Sequence, residues 1–446
     1  MSEWFFPKAL VGGQIAHNVR IVSGEGVITE VTVDAPASRH SFNGVAVPGF
    51  ANTHSHVFHR GLRGAGAGED FWSWRSEMYR LANRLDPDSY YRLARSAFAE
   101  MVAAGYTSVG EFHYVHHQPD GTPYPHHDME LAVVNAAVDA GIRITLLDTC
   151  YLHAGPGAPL GADQARFGDG SVEEWLERWD ALRDALPASP VVRLGAALHS
   201  VRAVSPDEMA TAVCGVPDRT PIHIHVSEQP RENEECLAAH GLTPTAVLER
   251  AGALSDRTTV VHATHLSDDD IAMIARSNTI VSLCPTTEAD LGDGIARIKD
   301  MLDAGVRLTI GTDEDVVTDP FTELRMLEST ARLATGTRGV AGCDELWTIG
   351  CRNGVESVRP AADPTPRRAS TSDSDLAGLA VGDPADIVVV DPSSPRLAGV
   401  DPTRWPLTAT AQDIAATIIA GEWVRPDDAT AEDLRHVLDE LRGCKS

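Results

Sequence analysis

At 446 residues the chain is long enough to bury a large core and too long for one small domain. Hydrophobic residues at 43%, charged residues at 23% and a mean hydropathy of -0.14 describe an ordinary folded protein rather than a disordered or membrane-embedded one. A formal net charge of -27 excludes nucleic acid and anionic membranes as general partners, because both need a positive surface, so a small anionic substrate must meet locally placed arginines.

Residues 1–47 read as short strands and turns: Gly12-Gly13, a strand over Ala16–Val22, a turn at Gly24–Gly26, then strands over Val27–Val33 and Gly44–Val47. The first residues, Met1–Gly13, show no basic region followed by an apolar run and a small-residue cleavage site, and no later stretch approaches the length of a bilayer. Neither secretion nor membrane insertion is expected. The seven cysteines are odd in number, widely spaced and without a C-x-x-C pair, which points to reduced thiols and a cytoplasmic protein.

From Pro48 the rhythm changes to apolar runs alternating with amphipathic segments such as Pro87–Ala104 and Val172–Leu186. Eight strands are expected, ending near His54, His113, Thr149, His199, Glu228, His262, Cys284 and Asp313. This predicts an α/β fold: a (β/α)8 TIM-like barrel over 48–359, with its active site at the carboxyl ends of the strands. Residues 360–374, rich in Pro, Ala, Ser and Asp, read as a linker. Residues 375–430 regain strand character at Ala385–Val390 and Ile414–Trp423. They complete, with 1–47, a small β-sandwich domain; 431–446 is a C-terminal helix and tail, with the helix over Ala431–Arg442.

The chemistry gathers at the predicted strand ends. In Pro48–His56, His54 and His56 are two residues apart, so on a strand both point to one face. One H-x-H pair among 18 histidines is weak evidence for a metal site. A second strand, in Pro221–Gln229, delivers His225 with Glu228 three residues on, where the bland alternative is a buried histidine and a helix cap; His223 reads as structural. A third strand ends on His262 and a fourth on Asp313, whose carboxylate can ligate a cation and accept a proton from water. Four separate strands ending on such residues is not a core-packing pattern. The metal ligands expected are His54, His56, His225 and Asp313. His113, His116, His117, His126 and His127 form a second group, read as a loop near the pocket mouth, and Cys284 reads as packing rather than a nucleophile.

His54-x-His56, His225-x-x-Glu228, His262 and Asp313 at these intervals resemble the amidohydrolase superfamily, in its mononuclear deaminase branch, and the resemblance covers essentially the whole chain. The longer motifs Phe71–Arg75, Glu111–His117, Leu198–Arg202 and Cys284–Gly294 are similar to the formimidoylglutamate deiminases. The resemblance implies one divalent metal ion, zinc by preference, and hydrolysis of N-formimino-L-glutamate to N-formyl-L-glutamate and ammonia. In it, His262 and Asp313 orient the attacking water and take its proton, while Glu228 protonates the imino nitrogen and the leaving amine. Arg75 and Arg202 would clamp the two carboxylates, since a guanidinium fork matches a carboxylate, and Tyr114, His199 and His59 complete the substrate site. For Arg75 the bland alternative is a surface ion pair.

Two positions depart from the family pattern. His59 stands where Gln is usual, and Glu314-Asp315 stand where Ser-His is usual, adding negative charge beside a site for an anion. Rival readings are an aminohydrolase of the same branch acting on a guanine-like or other purine heterocycle or a formiminoaspartate-like compound, and a catalytically silent scaffold. Two arginines would serve a neutral heterocycle poorly, and a scaffold would predict lost ligands, none of which is lost. A homodimer is the default assembly.

Overall fold

The computed structural model describes residues 1–38, 40–64, 71–359, 378–425 and 431–443, so the linker expected at 360–374 lies outside the described residues. In chain order the strands begin with β1 (Ser2–Val11), β2 (Gln14–Gly24), β3 (Val27–Thr32) and β4 (Val45–Pro48). There follow β5 (Phe50–Ser55), β6 (Tyr106–His113), β7 (Arg143–Cys150), the short hairpin of β8 (His153–Gly155) and β9 (Ala158–Pro159), and β10 (Val192–Leu198). Next come β11 (Ile222–Val226), β12 (Thr258–His262), β13 (Ile280–Leu283) and β14 (Arg307–Ile310). The last three are β15 (Ile387–Val390), β16 (Ile414–Ile419) and β17 (Glu422–Val424).

Eight strands pair in parallel in the order β14-β13-β12-β11-β10-β7-β6-β5, and a bridge between Ser55 and Asp313 joins the two ends, so the expected barrel is found. Their residues are buried almost throughout, as strands covered on both faces must be, which is why they read as apolar runs. The crossing helices start at residues suited to the task. Asp86 and Ser89 form a reciprocal capping box at the start of helix Pro87–Ala103, with proline at its first position, and Ser171 caps helix Val172–Ala185 through the Glu174 amide.

At the closing seam the backbone ladder is short but dense. The amides of Thr312 and Asp313 both donate to the His54 carbonyl at 3.0 and 2.9 Å, and the His56 amide donates to the Asp313 carbonyl at 3.0 Å. The Asn52 side chain donates to Thr312 Oγ1 at 2.7 Å and accepts from the Thr312 amide at 3.0 Å. A Cβ on Gly311 would lie 2.7 Å from both the Cβ and the carbonyl oxygen of His54, so only glycine lets the strands meet there. The opposite end of the barrel is plugged by helix Asn353–Val358. Asn353 donates to the Leu308 carbonyl at 2.8 Å, Thr145 Oγ1 donates to Val358 at 2.8 Å, and His223 Nε2 lies 3.2 Å from the Ser357 carbonyl. His223 therefore belongs to the lower interior of the barrel.

The terminal strands form one seven-stranded sheet, β17-β16-β15-β4-β1-β2-β3. One face, with Leu10, Val45, Val47, Val388 and Val390, joins the barrel core, while Phe6, Val19, Ile21, Ile387, Val389 and Ile418 make a separate cluster on the other. The Ile28 amide donates to Asp383 and the Ala385 amide to Gly26, both at 2.9 Å, so β3 returns against the segment that enters β15. The expected sandwich is thus a single sheet curled around its own core. Ile414–Trp423 is two strands rather than one, because Ala420 and Gly421 turn with φ of 54° and 83°. The terminal helix spans Ala431–Arg442. Among the described residues no helix is long and apolar enough to cross a membrane.

The second histidine group is not a loop at the pocket mouth. His113, His116 and His117 are buried, whereas His126 is exposed and His127 half-buried. His116 Nδ1 lies 2.8 Å from Glu130, its Nε2 lies 2.9 Å from the Thr149 carbonyl, and His117 Nε2 is 3.2 Å from Asp169. Arg178 reaches three carboxylates: Asp148 at 2.7 Å, Asp169 at 2.8 Å and Glu130 at 3.3 Å. Although His113, His116 and Glu130 are close enough to share a cation, the guanidinium already supplies positive charge there. The group ties the end of β6 to β7 and to the helices over Asp128–Ala140 and Val172–Ala185.

These contacts set the stability expected of three variants. Gly311→Ala should cost about 3 kcal/mol in urea unfolding, the upper range for overpacking, since a backbone faces the new methyl. Gly155→Ala, with nothing within 4 Å of its Cβ, should stay within about 0.5 kcal/mol. Arg178→Met should lose about 3–5 kcal/mol in the same measurement, because it strands buried carboxylates without their cation.

Candidate functional site

Four barrel strands bring the polar groups together. His54 and His56 alternate along the end of β5, His225 comes from β11, His262 from the last position of β12, and Asp313 follows β14. His54 Nε2 lies 3.1 Å from His225 Nε2 and 3.2 Å from Asp313 Oδ1, and His56 Nε2 lies 3.5 Å from the same oxygen. His262 Nε2 is 3.8 Å from Asp313 Oδ2 and 4.0 Å from Glu228 Oε1. The backbone strains to deliver these groups: Ser227, His262, Ala263, Asp313 and Asp315 all hold positive φ, between 48° and 69°. Each such residue costs on the order of 1–3 kcal/mol, and such strain concentrates where function requires it.

The donor set suits one divalent cation. His56 Nδ1 lies 2.8 Å from the Phe112 carbonyl and donates to it, which leaves Nε2 as the lone-pair nitrogen. Burial, reinforced by neighbouring imidazoles, holds His54 and His225 well below the usual histidine range and lowers His56 to about 3. Neutral imidazoles are what a metal requires. Bonds of about 2.0–2.1 Å to a tetrahedral zinc place its ligand nitrogens about 3.3 Å apart. The donor separations of 3.1, 3.2 and 3.5 Å bracket that value. His54, His56, His225 and Asp313 are therefore the residues that could hold it.

His262 behaves differently. Burial works to lower it, but Glu228, Glu288 and Asp313 outweigh that and push its imidazole up to about 10. Glu288 lies 3.6 Å from its Nδ1 and also accepts from the Cys284 amide, so His262 stays cationic between carboxylates. Cys284 itself is buried at the end of β13, as packing.

The charge expected from Glu314-Asp315 does not enter the cavity. Burial, with Asp313 beside it, pushes Glu314 up to about 9, so this acid is neutral near pH 7, and neither residue lines the cavity. Asp315 is raised to about 7 by burial and turns toward Thr312 Oγ1, which donates at 2.5 Å.

The cavity above the cluster encloses about 690 Å³ including its open mouth, within the range of small-ligand sites. His56, His59, Arg75, Tyr114, His199, Arg202, His225, Glu228, His262 and Asp313 all line it, and His54 is fully buried behind them. All the expected site residues are thus brought together. Arg202 Nη2 is 3.9 Å from Glu228, while its buried Nε has no hydrogen-bond partner among the described residues. His59 Nε2 lies 3.1 Å from the Tyr114 hydroxyl, and the His199 and Tyr151 rings pack with centroids 4.2 Å apart. Arg75 lines the cavity, with Nε donating to the Tyr79 hydroxyl at 2.7 Å.

Sequence reasoning missed Tyr79, Tyr151 and His153, which also line the cavity, and Gln164 behind them. Tyr79 had a usable signal, since it stands four residues after Arg75 and so shares its helix face. The others carry none.

Residues 45–362 match the model of the amidohydrolase family. Formimidoylglutamate deiminase of Pseudomonas aeruginosa is 38% identical, over 99% of this chain and 100% of the relative. The 5-methylthioadenosine/S-adenosylhomocysteine deaminase of Moorella thermoacetica is 26% identical over 85% of this chain and 81% of its own. Among solved structures, an amidohydrolase from Brucella melitensis superposes with a TM-score of 0.89 at 32% identity, over 99% of this chain and 100% of that one. An adenosine deaminase from Xanthomonas campestris with bound zinc gives 0.82 at 19% identity, over 99% and 97% of the two chains, a likeness of fold alone. With the family model spanning most of its length and a relative above 30% identity along nearly all of it, the chain belongs to the amidohydrolase family.

Proposed function

We propose that this chain hydrolyses N-formimino-L-glutamate to N-formyl-L-glutamate and ammonia, using one divalent metal ion, zinc by preference, held by His54, His56, His225 and Asp313. The observation that carries the reading is that two guanidinium groups, Arg75 and Arg202, line the same cavity as the metal-ligand cluster in a chain of net charge -27. A dicarboxylate needs two cations placed locally, and a neutral purine does not. The name of the Pseudomonas relative supports the same substrate. Thiols free of disulfides among the described residues support a reducing, cytoplasmic setting.

A divalent cation at this donor set supplies Lewis-acid activation of water and of the carbon–nitrogen double bond. Asp313 takes the proton of the attacking water, and the cationic His262, 3.8 Å away, orients the oxygen. Glu228, 4.0 Å from the same His262 nitrogen, carries a proton to the imino nitrogen and then to departing ammonia. Arg202 and Arg75 bind the two carboxylates, and Tyr114, His199 and His59 hold the chain between them.

Ammonia release measured on N-formimino-L-glutamate, formiminoaspartate and guanine should be fastest by far on the first, lost on exhaustive chelation and restored by zinc. Activity on guanine alone sinks the substrate assignment, and activity that survives metal removal sinks the metal. Glu228→Gln should lower kcat by about 10²–10⁴, the usual worth of a proton-transfer group, with metal content by elemental analysis unchanged. Full turnover in that variant would remove Glu228 from proton transfer.

A further inference from the structure

One wall of the cavity is built from Arg75 and Tyr79, on helix Phe71–Ala82, and Tyr151, just past β7. Gln164 lies behind it, buried, without lining the cavity itself. Its amide orientation is fixed by chemistry, because Oε1 accepts from the Gly161 amide at 3.0 Å and a flipped amide would face donor with donor. Nε2 must then point at the tyrosines, and it donates to the Tyr151 hydroxyl at 2.9 Å and to the Tyr79 hydroxyl at 3.1 Å.

Tyr79 also accepts from Arg75 Nε, so both lone pairs of its oxygen are occupied. Each hydroxyl still carries a proton, and in every bond they make to Arg75 and Gln164 the tyrosine oxygen accepts, with no carbonyl, carboxylate or imidazole among the described residues taking either proton. The two tyrosines can spend at most one proton on each other. The second has to face the cavity. Burial, with Tyr151 beside it, pushes the Tyr79 phenol up, so that proton stays in place.

We infer that Gln164 is a positioning residue that makes this wall donor-only, and that the wall thereby selects a carboxylate over a carboxamide at the end of the substrate it meets. A carboxylate only accepts, so it satisfies the surplus hydroxyl proton and the Arg75 guanidinium together. A carboxamide would turn its own N–H groups against donors wherever its oxygen is not placed. The inference rests on the dicarboxylate substrate proposed above, and it adds which residues reject the half-amide.

The test compares the wild type with Gln164→Glu, whose carboxylate would draw both tyrosine protons back to itself and away from the cavity. Kinetics are measured on N-formimino-L-glutamate and N-formimino-L-glutamine, and glutarate binding by titration calorimetry. Loss of a charge-assisted hydrogen bond should raise KM for the dicarboxylate about tenfold or more, with kcat within about twofold. The preference for glutamate over glutamine substrate should fall in proportion, and glutarate should bind more weakly to the same extent. A structural role alone would move thermal stability without that KM-against-kcat split.

Unchanged discrimination and unchanged glutarate affinity in Gln164→Glu would overturn the inference. If Gln164→Glu does not fold, Tyr79→Phe/Tyr151→Phe, which deletes the surplus proton, must show the same loss of discrimination, and failure to do so overturns it equally. A wild type that binds glutarate but does not turn over formiminoglutamate sinks the proposed activity, and the calorimetry then decides the wall. A wild type that does neither overturns both.

Discussion

The closing of the barrel at β5 and β14 is the constraint on which the site depends. Eight strands can close only if the first meets the last, and here they meet at residues proposed as metal ligands: the His54 carbonyl takes the amides of Thr312 and Asp313. Gly311 makes the approach possible by having no side chain to place against His54. Once the seam is shut, Asp313 has no freedom to sit elsewhere than beside His54 and His56. The parallel ladder does the rest: His225 pairs with Val261 and Val226 with His262, so the two histidines stand one residue apart, and with His262 at a φ of 69° their ring centroids lie 5.6 Å from each other. A slip of one residue in that register would send His225 to the outer face.

That convergence sets the electrostatics. Six imidazoles crowd the barrel mouth, at His54, His56, His59, His199, His225 and His262, and all but the last are kept neutral by burial, by one another and, at His199, by the Arg202 guanidinium. His262 escapes because it alone has carboxylates on both sides. The acids divide in the same way. Asp293, whose carboxylate accepts from Gln229, is pushed by burial and by Glu228 up to about 9, and Glu314 likewise. A mouth whose sequence is rich in Asp and Glu is therefore much less negative than it reads, which lets Arg75 and Arg202 dominate the cavity.

Much of this was legible in the chain. The eight barrel strands end where the apolar runs end, because a strand buried on both faces has no reason to carry a polar residue until it emerges. Most of the polar residues found there line the cavity proposed as the site. Other features left no local trace. Ser2–Val11 is not singled out by its pattern, since Pro7 interrupts it; the fold accommodates that proline between the paired residues Phe6 and Lys8. The protonation of Glu314 follows from burial, which no motif states. His113 and His116 fell in a motif shared with the catalytic branch, yet their partners Glu130, Asp148 and Arg178 are distant in sequence, so their structural role emerges only from packing.

The division between legible and hidden residues has a physical basis. Groups that hold a cation and move protons must be fixed within fractions of an ångström, and strand ends in a closed barrel provide that rigidity, so the chemistry lies in regular, recognisable segments. Groups that recognise the rest of the substrate sit on a helix and on irregular chain, where different residues can be presented without disturbing the barrel. Arg75 could be found because charge is conspicuous in sequence. Gln164 could not, since it acts through two hydroxyl groups on other segments and is defined by which way its amide faces. It follows that relatives named for other deaminations, at 26% identity, should differ from this chain more at Arg202 and at the wall formed by Arg75, Tyr79, Tyr151 and Gln164 than at the strand ends that hold the proposed metal ligands, because the groups that meet the rest of the substrate have to change when the substrate does.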